Sequence, residues 1–110
     1  MNITEQLSAA GVEVEHHFAD GLYAKMYRMP ARTAIGKHVH DYDHLSVLAK
    51  GHVVVDIDGE CTAHRAPCVL TIKAHKVHVI RSVTDAVWYC IHATDETDPD
   101  KVDEALGGWL

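Results

Sequence analysis

Residues 38–51 read HVHDYDHLSVLAKG, with three histidines close together. His38 and His40 are two residues apart, so their side chains lie on one face of an extended strand. The short turn over 41–43 can fold the chain back and bring His44 to the same side. Imidazole is a common ligand of divalent metals. Three imidazoles that converge from two adjacent strands therefore predict the beginning of a metal site.

The sequence around this stretch predicts short strands separated by turns. The Asp58-Gly59 pair is a strong two-residue hairpin signal. Helical patterns occur only over 1–11 and over 98–106, where Asp98 is the expected cap. This pattern predicts one all-β domain over 1–110, a sandwich or barrel with short helical termini. The predicted strands are 12–18, 22–29, 44–50, 52–57, 60–64, 68–72, 77–82 and 86–93.

Composition limits the classes of partner. The 110-residue chain has a formal net charge of −6 and no cluster of Lys or Arg, which argues against nucleic acid. No apolar run approaches the roughly 18 residues that cross a bilayer, and the first residues lack signal-peptide features. We therefore expect a cytoplasmic protein with no membrane partner. The odd number of cysteines, without Cys-x-x-Cys spacing, predicts reduced packing residues at Cys61, Cys68 and Cys90.

The histidine stretch resembles the first motif of the cupin superfamily. In that motif His-x-His is followed, after three or four residues, by Glu, and after six more by Gly. The corresponding residues in this chain are His38, His40, His44 and Gly51. The resemblance implies a double-stranded β-helix, or jelly-roll, barrel that holds a metal in its mouth.

The second cupin motif has its counterpart further along the chain. Residues 67–78 match its spacing, with His78 in the place of the last ligand. The two motifs together indicate that the resemblance covers about 22–94, which is the expected barrel core. Several motif positions nevertheless carry other residues, so no named subfamily supplies a substrate. His44 replaces the glutamate, Arg32 and His75 replace glycines, Lys73 replaces a proline, and Pro67-Cys68 replaces Gly-Asp.

The resemblance implies one divalent transition metal at an all-histidine site. Nitrogen donors suit Fe, Ni, Zn, Cu or Mn, and neutral ligands leave the metal charge uncompensated, which strengthens a Lewis acid. The implied ligands are His38, His40, His44 and His78. Without His44, a three-histidine site similar to the thiol and diketone dioxygenases of this superfamily remains. We assign the surface or the packed interior, not the metal, to His16, His17, His52, His64 and His92.

Two classes of function follow from these residues. The first is a metalloenzyme acting on a small organic substrate, with dioxygenase-like or isomerase/lyase-like chemistry. The alternative is a non-catalytic module that binds a small ligand or a metal. A metal-free sugar-nucleotide epimerase of the same barrel type is a weaker third reading, because the chain is short for its larger pocket. Open sheets have edges that need protection, so we expect a homodimer.

Overall fold

The computed structural model describes residues 7–106, and within that range every side chain except those of Lys37 and His38. This part of the chain contains nine strands, all paired antiparallel. They are β1 (Glu13–Ala19), β2 (Leu22–Met29), β3 (Ala34–His38), β4 (His44–Lys50), β5 (His52–Ile57), β6 (Glu60–Arg65), β7 (Cys68–Ile72), β8 (His78–Ser82) and β9 (Ala86–Ala93). One short helix follows at Val102–Ala105. The predicted all-β class is confirmed.

Two sheets pack face to face as a jelly-roll barrel. The five-stranded sheet has the order β1-β2-β9-β4-β7, and the four-stranded sheet has the order β3-β8-β5-β6. Along β9 every second side chain is buried, as the period of two requires for a strand with one face toward a core. Apolar side chains from both sheets fill the interior, including Leu48, Val53, Val55, Ile80 and Trp88.

The structure differs from the sequence-based expectations at three places. The sequence placed His38 and His40 on one strand adjacent to that of His44, and this was wrong: β3 ends at His38 and pairs with β8, in the other sheet from β4. The rest of β3 was not among the predicted strands, because the segment is short and contains Gly36. The C-terminal helix is shorter than the predicted 98–106, since the Asp98 carbonyl accepts from the amides of Lys101 and Val102 in a turn. The Asp98 side chain accepts from the amide of Asp100 and does not cap the helix. Of the predicted helix over 1–11, residues 7–9 are helical and 1–6 lie outside the described residues.

Three motif positions have backbone conformations that favour glycine. Gly51 has φ +91°, and a Cβ there would overlap the carbonyl oxygen of Asp85. Arg32 and His75, which replace glycines of the cupin motifs, both have φ of 63°. The backbone thus keeps the left-handed turns although the side chains have changed. Within 7–106, no helix has the length and apolarity that crossing a membrane requires.

Candidate metal centre

Three histidines meet at one end of the barrel: His40, His44 and His92. Each offers one ring nitrogen, and these three atoms lie within 4.8 Å of one another. His44 begins β4 and His92 lies near the end of the neighbouring β9, where the pairing of Leu45 with Ile91 sets them side by side. Their rings stack with centroids 4.6 Å apart. Antiparallel pairing of two strands therefore creates half of the cluster.

His40 reaches the cluster from the segment after β3. Its ring centroid lies 5.3 Å from that of His44 and 5.1 Å from that of His92. The Nδ1–H of His40 donates to the carbonyl oxygen of Leu106 at 2.8 Å. A histidine that donates from Nδ1 keeps the lone pair on Nε2, which is the usual arrangement around a metal ligand. The C-terminal segment thus orients a candidate ligand.

His44 carries the clearest mark of a ligand site. The side chain is 6% exposed, and neither ring nitrogen has a hydrogen-bond partner among the described residues. Burying a polar group without a partner costs about 1–3 kcal/mol, so native structures rarely leave one unsatisfied. A metal ion bound to one ring nitrogen of His44 would give that nitrogen a partner. The donor set of the cluster therefore fits a transition metal.

His92 has an outer partner in Tyr42. Its Nδ1 lies 3.0 Å from the phenolic oxygen of Tyr42. When that Nδ1 carries the proton and donates to the oxygen, Nε2 keeps its lone pair for a metal. Burial, followed by the charge of Asp41, raises the pKa of Tyr42 to about 12, so the phenol stays neutral at pH 7. The pair can hold the His92 ring in place without adding a charge.

Burial keeps two members of the cluster, His44 and His92, neutral at physiological pH. Desolvation, followed by the neighbouring His78 and His40, lowers the pKa of His44 to about 4. Desolvation, followed by His44 and His40, lowers the pKa of His92 to about 3. Only a neutral imidazole has a lone pair to give to a metal. The interior therefore holds these rings in the protonation state that ligation requires.

His78 and His38 stand differently with respect to this cluster. His78 begins β8, is 2% exposed, and its ring centroid lies 5.6 Å from that of His44. It is outside the three-histidine group but adjacent to it. The backbone of His38 pairs with that of His78 at the end of β3, whereas the side chain of His38 lies outside the described residues. Ligation by these two histidines remains a prediction.

His92 and Tyr42 were not assigned to the site from the sequence. His92 lies outside both cupin motifs, but the alternation on β9, with Trp88 and Cys90 buried, places it on the inner face. That alternation was the available signal. Tyr42 was interpreted as ordinary turn chemistry. Its neighbour Asp43 does have that role, since its Oδ1 accepts from the amide of Ala74 at 2.8 Å.

A cavity of about 450 Å³ adjoins the cluster on its outer side, with His40 in its wall. Asp41, His75 and Glu104 also line it, so its rim is polar. The amide of His75 donates to the carbonyl oxygen of His40 at 2.8 Å, which ties the loop of the second motif to the first. This cavity is a path by which a small molecule can approach His40.

Comparison with solved structures shows what the fold is. A cupin superfamily protein from Desulfitobacterium hafniense matches with a TM-score of 0.68 at 19% identity, over 76% of this chain and 78% of its own. An RmlC-like cupin from Shewanella frigidimarina matches with a TM-score of 0.68 at 18% identity, over 83% of this chain and 81% of its own. The chain therefore has the cupin fold, as the two motifs implied.

A larger enzyme shares the same architecture. A variant of salicylate 1,2-dioxygenase from Pseudoaminobacter salicylatoxidans matches with a TM-score of 0.70 at 15% identity, over 96% of this chain but 32% of its own. No protein-family profile matches the chain. No curated protein matches it in sequence. At these identities the likeness concerns the fold, and the site rests on its own geometry.

Proposed function

We propose that this protein is a small metalloenzyme that acts on a small organic substrate at a histidine-bound transition metal. The observation that carries the proposal is the convergence of His40, His44 and His92, whose ligand atoms lie within 4.8 Å of one another. His78, beside His44, is the candidate fourth ligand. When bound, the metal supplies Lewis acidity or redox chemistry, depending on its identity.

The residues around the cluster have supporting tasks. The Leu106 carbonyl orients His40, and Tyr42 orients His92, so two candidate ligands have partners of the kind that fix ring position. The 450 Å³ cavity beside His40 gives a small molecule access. A salicylate dioxygenase shares the fold, which supports dioxygenase-like chemistry as one form of the proposal. Isomerase or lyase chemistry at a non-redox metal is the other form.

One observation favours the non-catalytic alternative. His44 and His78 are 6% and 2% exposed, and the C-terminal segment covers His40 through Leu106. Closed metal sites are typical of structural or storage roles, whereas catalytic sites keep an open position. A binding module that holds a metal without turnover is therefore the second candidate.

Metal content of purified variants tests the proposal. We expect about one equivalent of Fe, Ni, Cu, Zn or Mn in the wild type and loss of it in His40→Ala, His44→Ala and His92→Ala. His17→Ala is the matched control, because the His17 side chain is 56% exposed on β1 and lies outside the cluster. Turnover of small organic acids, diketones or thiols by the loaded protein then separates the enzyme from the module. A wild type that takes up no metal on reconstitution contradicts both the metalloenzyme and the metal-binding module.

We further propose that the protein forms a homodimer through the outer face of the five-stranded sheet. Leu45 and Val69 on that face are 46% and 65% exposed. The strand register groups them with Val47, Tyr89 and Ile91. Contiguous exposed apolar side chains are typical of an interaction surface, and a second copy presents the same surface.

A further inference from the structure

Lys25 is the one lysine or arginine that is buried among the side chains the structure describes. It lies on β2, faces the barrel interior and is 4% exposed. Lysine is almost never buried unless its ammonium has a partner. The Nζ of Lys25 donates to Oδ1 of Asp103 at 2.8 Å. This cation was not expected from the sequence, since its partner is 78 residues away.

Lys25 is close to the metal cluster on the same inner face. On β2 and β9, Tyr23 pairs with His92, and Lys25 pairs with Cys90 in the next inward-facing row. Lys25 and His92 are thus diagonal neighbours, whose Cβ atoms lie about 7–8 Å apart in such a ladder. Lys25 therefore lies one inward-facing row from a candidate ligand, and its ammonium also lies 5.4 Å from the centroid of the Tyr27 ring.

The electrostatics of this interior favour an anion. No aspartate or glutamate is buried within the described residues. A divalent ion at the three-histidine cluster would add to the positive charge of Lys25 on the same inner face. The side chain of Asp103, 28% exposed, brings a negative charge into contact with Lys25. Positive charge in a low-dielectric interior strongly attracts a small anion.

Asp103 reaches Lys25 from a short element near the C-terminal end of the described chain. It lies on the four-residue helix Val102–Ala105. Val102 and Leu106 pack against Tyr23 in a small cluster separate from the main core. The Leu106 carbonyl accepts from His40. The carboxylate therefore comes from a short segment at the edge of the site, and a carboxylate from another source can take the same place.

We propose that Lys25 binds a carboxylate group of the substrate, and that Asp103 holds this position until a small carboxylate displaces it. The inference rests on the proposed function, because it assigns a substrate class to that same site. Displacement of Asp103 removes the ion pair between the helix Val102–Ala105 and β2, while Val102 and Leu106 keep their packing against Tyr23. The ion pair then has a second use besides holding the C-terminal segment.

Calorimetric titration with carboxylates tests the inference. Acetate, butyrate and benzoate are compared with their neutral amides, on protein of measured metal content. Asp103→Asn removes the competing charge, and we expect at least one of the acids to bind it about tenfold more tightly than the wild type. Lys25→Met should bind none of them. Asp100→Asn is the matched control, since it removes the same charge from an exposed residue three positions earlier that does not line the cavity.

A second readout uses the wild type alone. Binding of the acid should speed hydrogen exchange at amides 102–106, because the helix loses its ion pair to Lys25, and the neutral amide of the same compound should leave that exchange unchanged. Equal binding of acid and amide, unchanged affinity in Asp103→Asn, or binding retained in Lys25→Met overturns the inference. Metal-loaded protein without carboxylate binding contradicts this inference alone. Carboxylate binding by protein that never takes up metal contradicts the proposed function alone.

Discussion

At the scale of single residues, the site depends on a few side chains held by partners far along the chain. Tyr42 and His92 are 50 residues apart, and His40 and Leu106 are 66 apart. Such outer partners fix the tautomer and orientation of a metal-binding imidazole, and their loss typically lowers metal affinity about 10- to 100-fold.

Tyr42→Phe removes the hydroxyl that contacts His92 and keeps the ring. We expect metal affinity to fall by about tenfold with little change in the unfolding midpoint of the metal-free protein. Tyr89→Phe is the control, because Tyr89 lies on the opposite, outward face of β9. Competition with a chromophoric chelator measures both variants. Equal affinities for Tyr42→Phe and Tyr89→Phe would show that the Tyr42 contact does not support the site.

The buried histidines also predict how stability depends on pH. The folded-state pKa of His44 is about 4 and that of His92 is about 3, both below the ordinary value of 6.5. Between pH 6.5 and pH 3 the unfolded chain binds protons at these two histidines more readily than the folded chain does. Their contribution to the free energy of unfolding is therefore complete above pH 6.5 and is lost as the pH falls toward 3. The slope is at most about 1.4 kcal/mol per pH unit for each histidine.

Urea unfolding of chelator-treated protein from pH 7.5 to pH 4 measures this dependence. We expect the free energy of unfolding to decrease below pH 6.5, and the slope to be smaller in His92→Phe. His17→Phe provides the comparison, because that side chain is 56% exposed. A slope in His92→Phe equal to that of the wild type would assign the dependence to other groups.

At the scale of elements, turns fix where the strands begin and end. Gly51 separates β4 from β5 and has the left-handed φ and the close approach to Asp85 described above. The sequence predicted a turn at this glycine. It could not predict the contact with Asp85, because that residue reaches Gly51 only after β8 and β9 have paired with their neighbours.

Replacement of two glycines separates the stability cost of a left-handed backbone conformation from the cost of steric overlap. Gly51→Ala combines a left-handed φ with overlap against the backbone of Asp85, so we expect a loss of about 3 kcal/mol or more. Gly59→Ala has a similar φ of +89° but nothing within 4 Å, and should cost about 1 kcal/mol. Denaturant unfolding measures both. Equal losses would mean that the close approach at Gly51 does not contribute.

At the scale of the whole molecule, the proposed homodimer depends on the outer face of the five-stranded sheet. Val69→Lys places a charge on the edge strand β7 of that exposed apolar surface, beside Val47, and we expect the dimer to dissociate into monomers. Val83→Lys is the control, because Val83 is 46% exposed but lies outside that sheet. Light scattering coupled to size exclusion measures the mass. A monomeric wild type, or a dimeric Val69→Lys, contradicts the proposal.

The barrel was readable from the sequence because local signals repeat along it. Alternation, the Asp58-Gly59 turn and the two motifs predicted most strands and the positions of His40, His44 and His78. The bounds of strand β3 were not recognised, because five residues with a glycine give little alternation of apolar and polar side chains. The roles of His92 and Lys25 were not predicted, because they depend on pairing between distant strands and on a helix near the other end of the chain.

The central claim is that one metal binds between His40, His44 and His92. Anomalous diffraction at the zinc or nickel absorption edge, on crystals grown with that metal, tests it most directly. The account predicts one strong peak within about 2.0–2.2 Å of a ring nitrogen of each of the three histidines. Extension of the coordination to His78 or His38 would be visible in the same map. A peak elsewhere, or no peak between these three rings, would contradict the account.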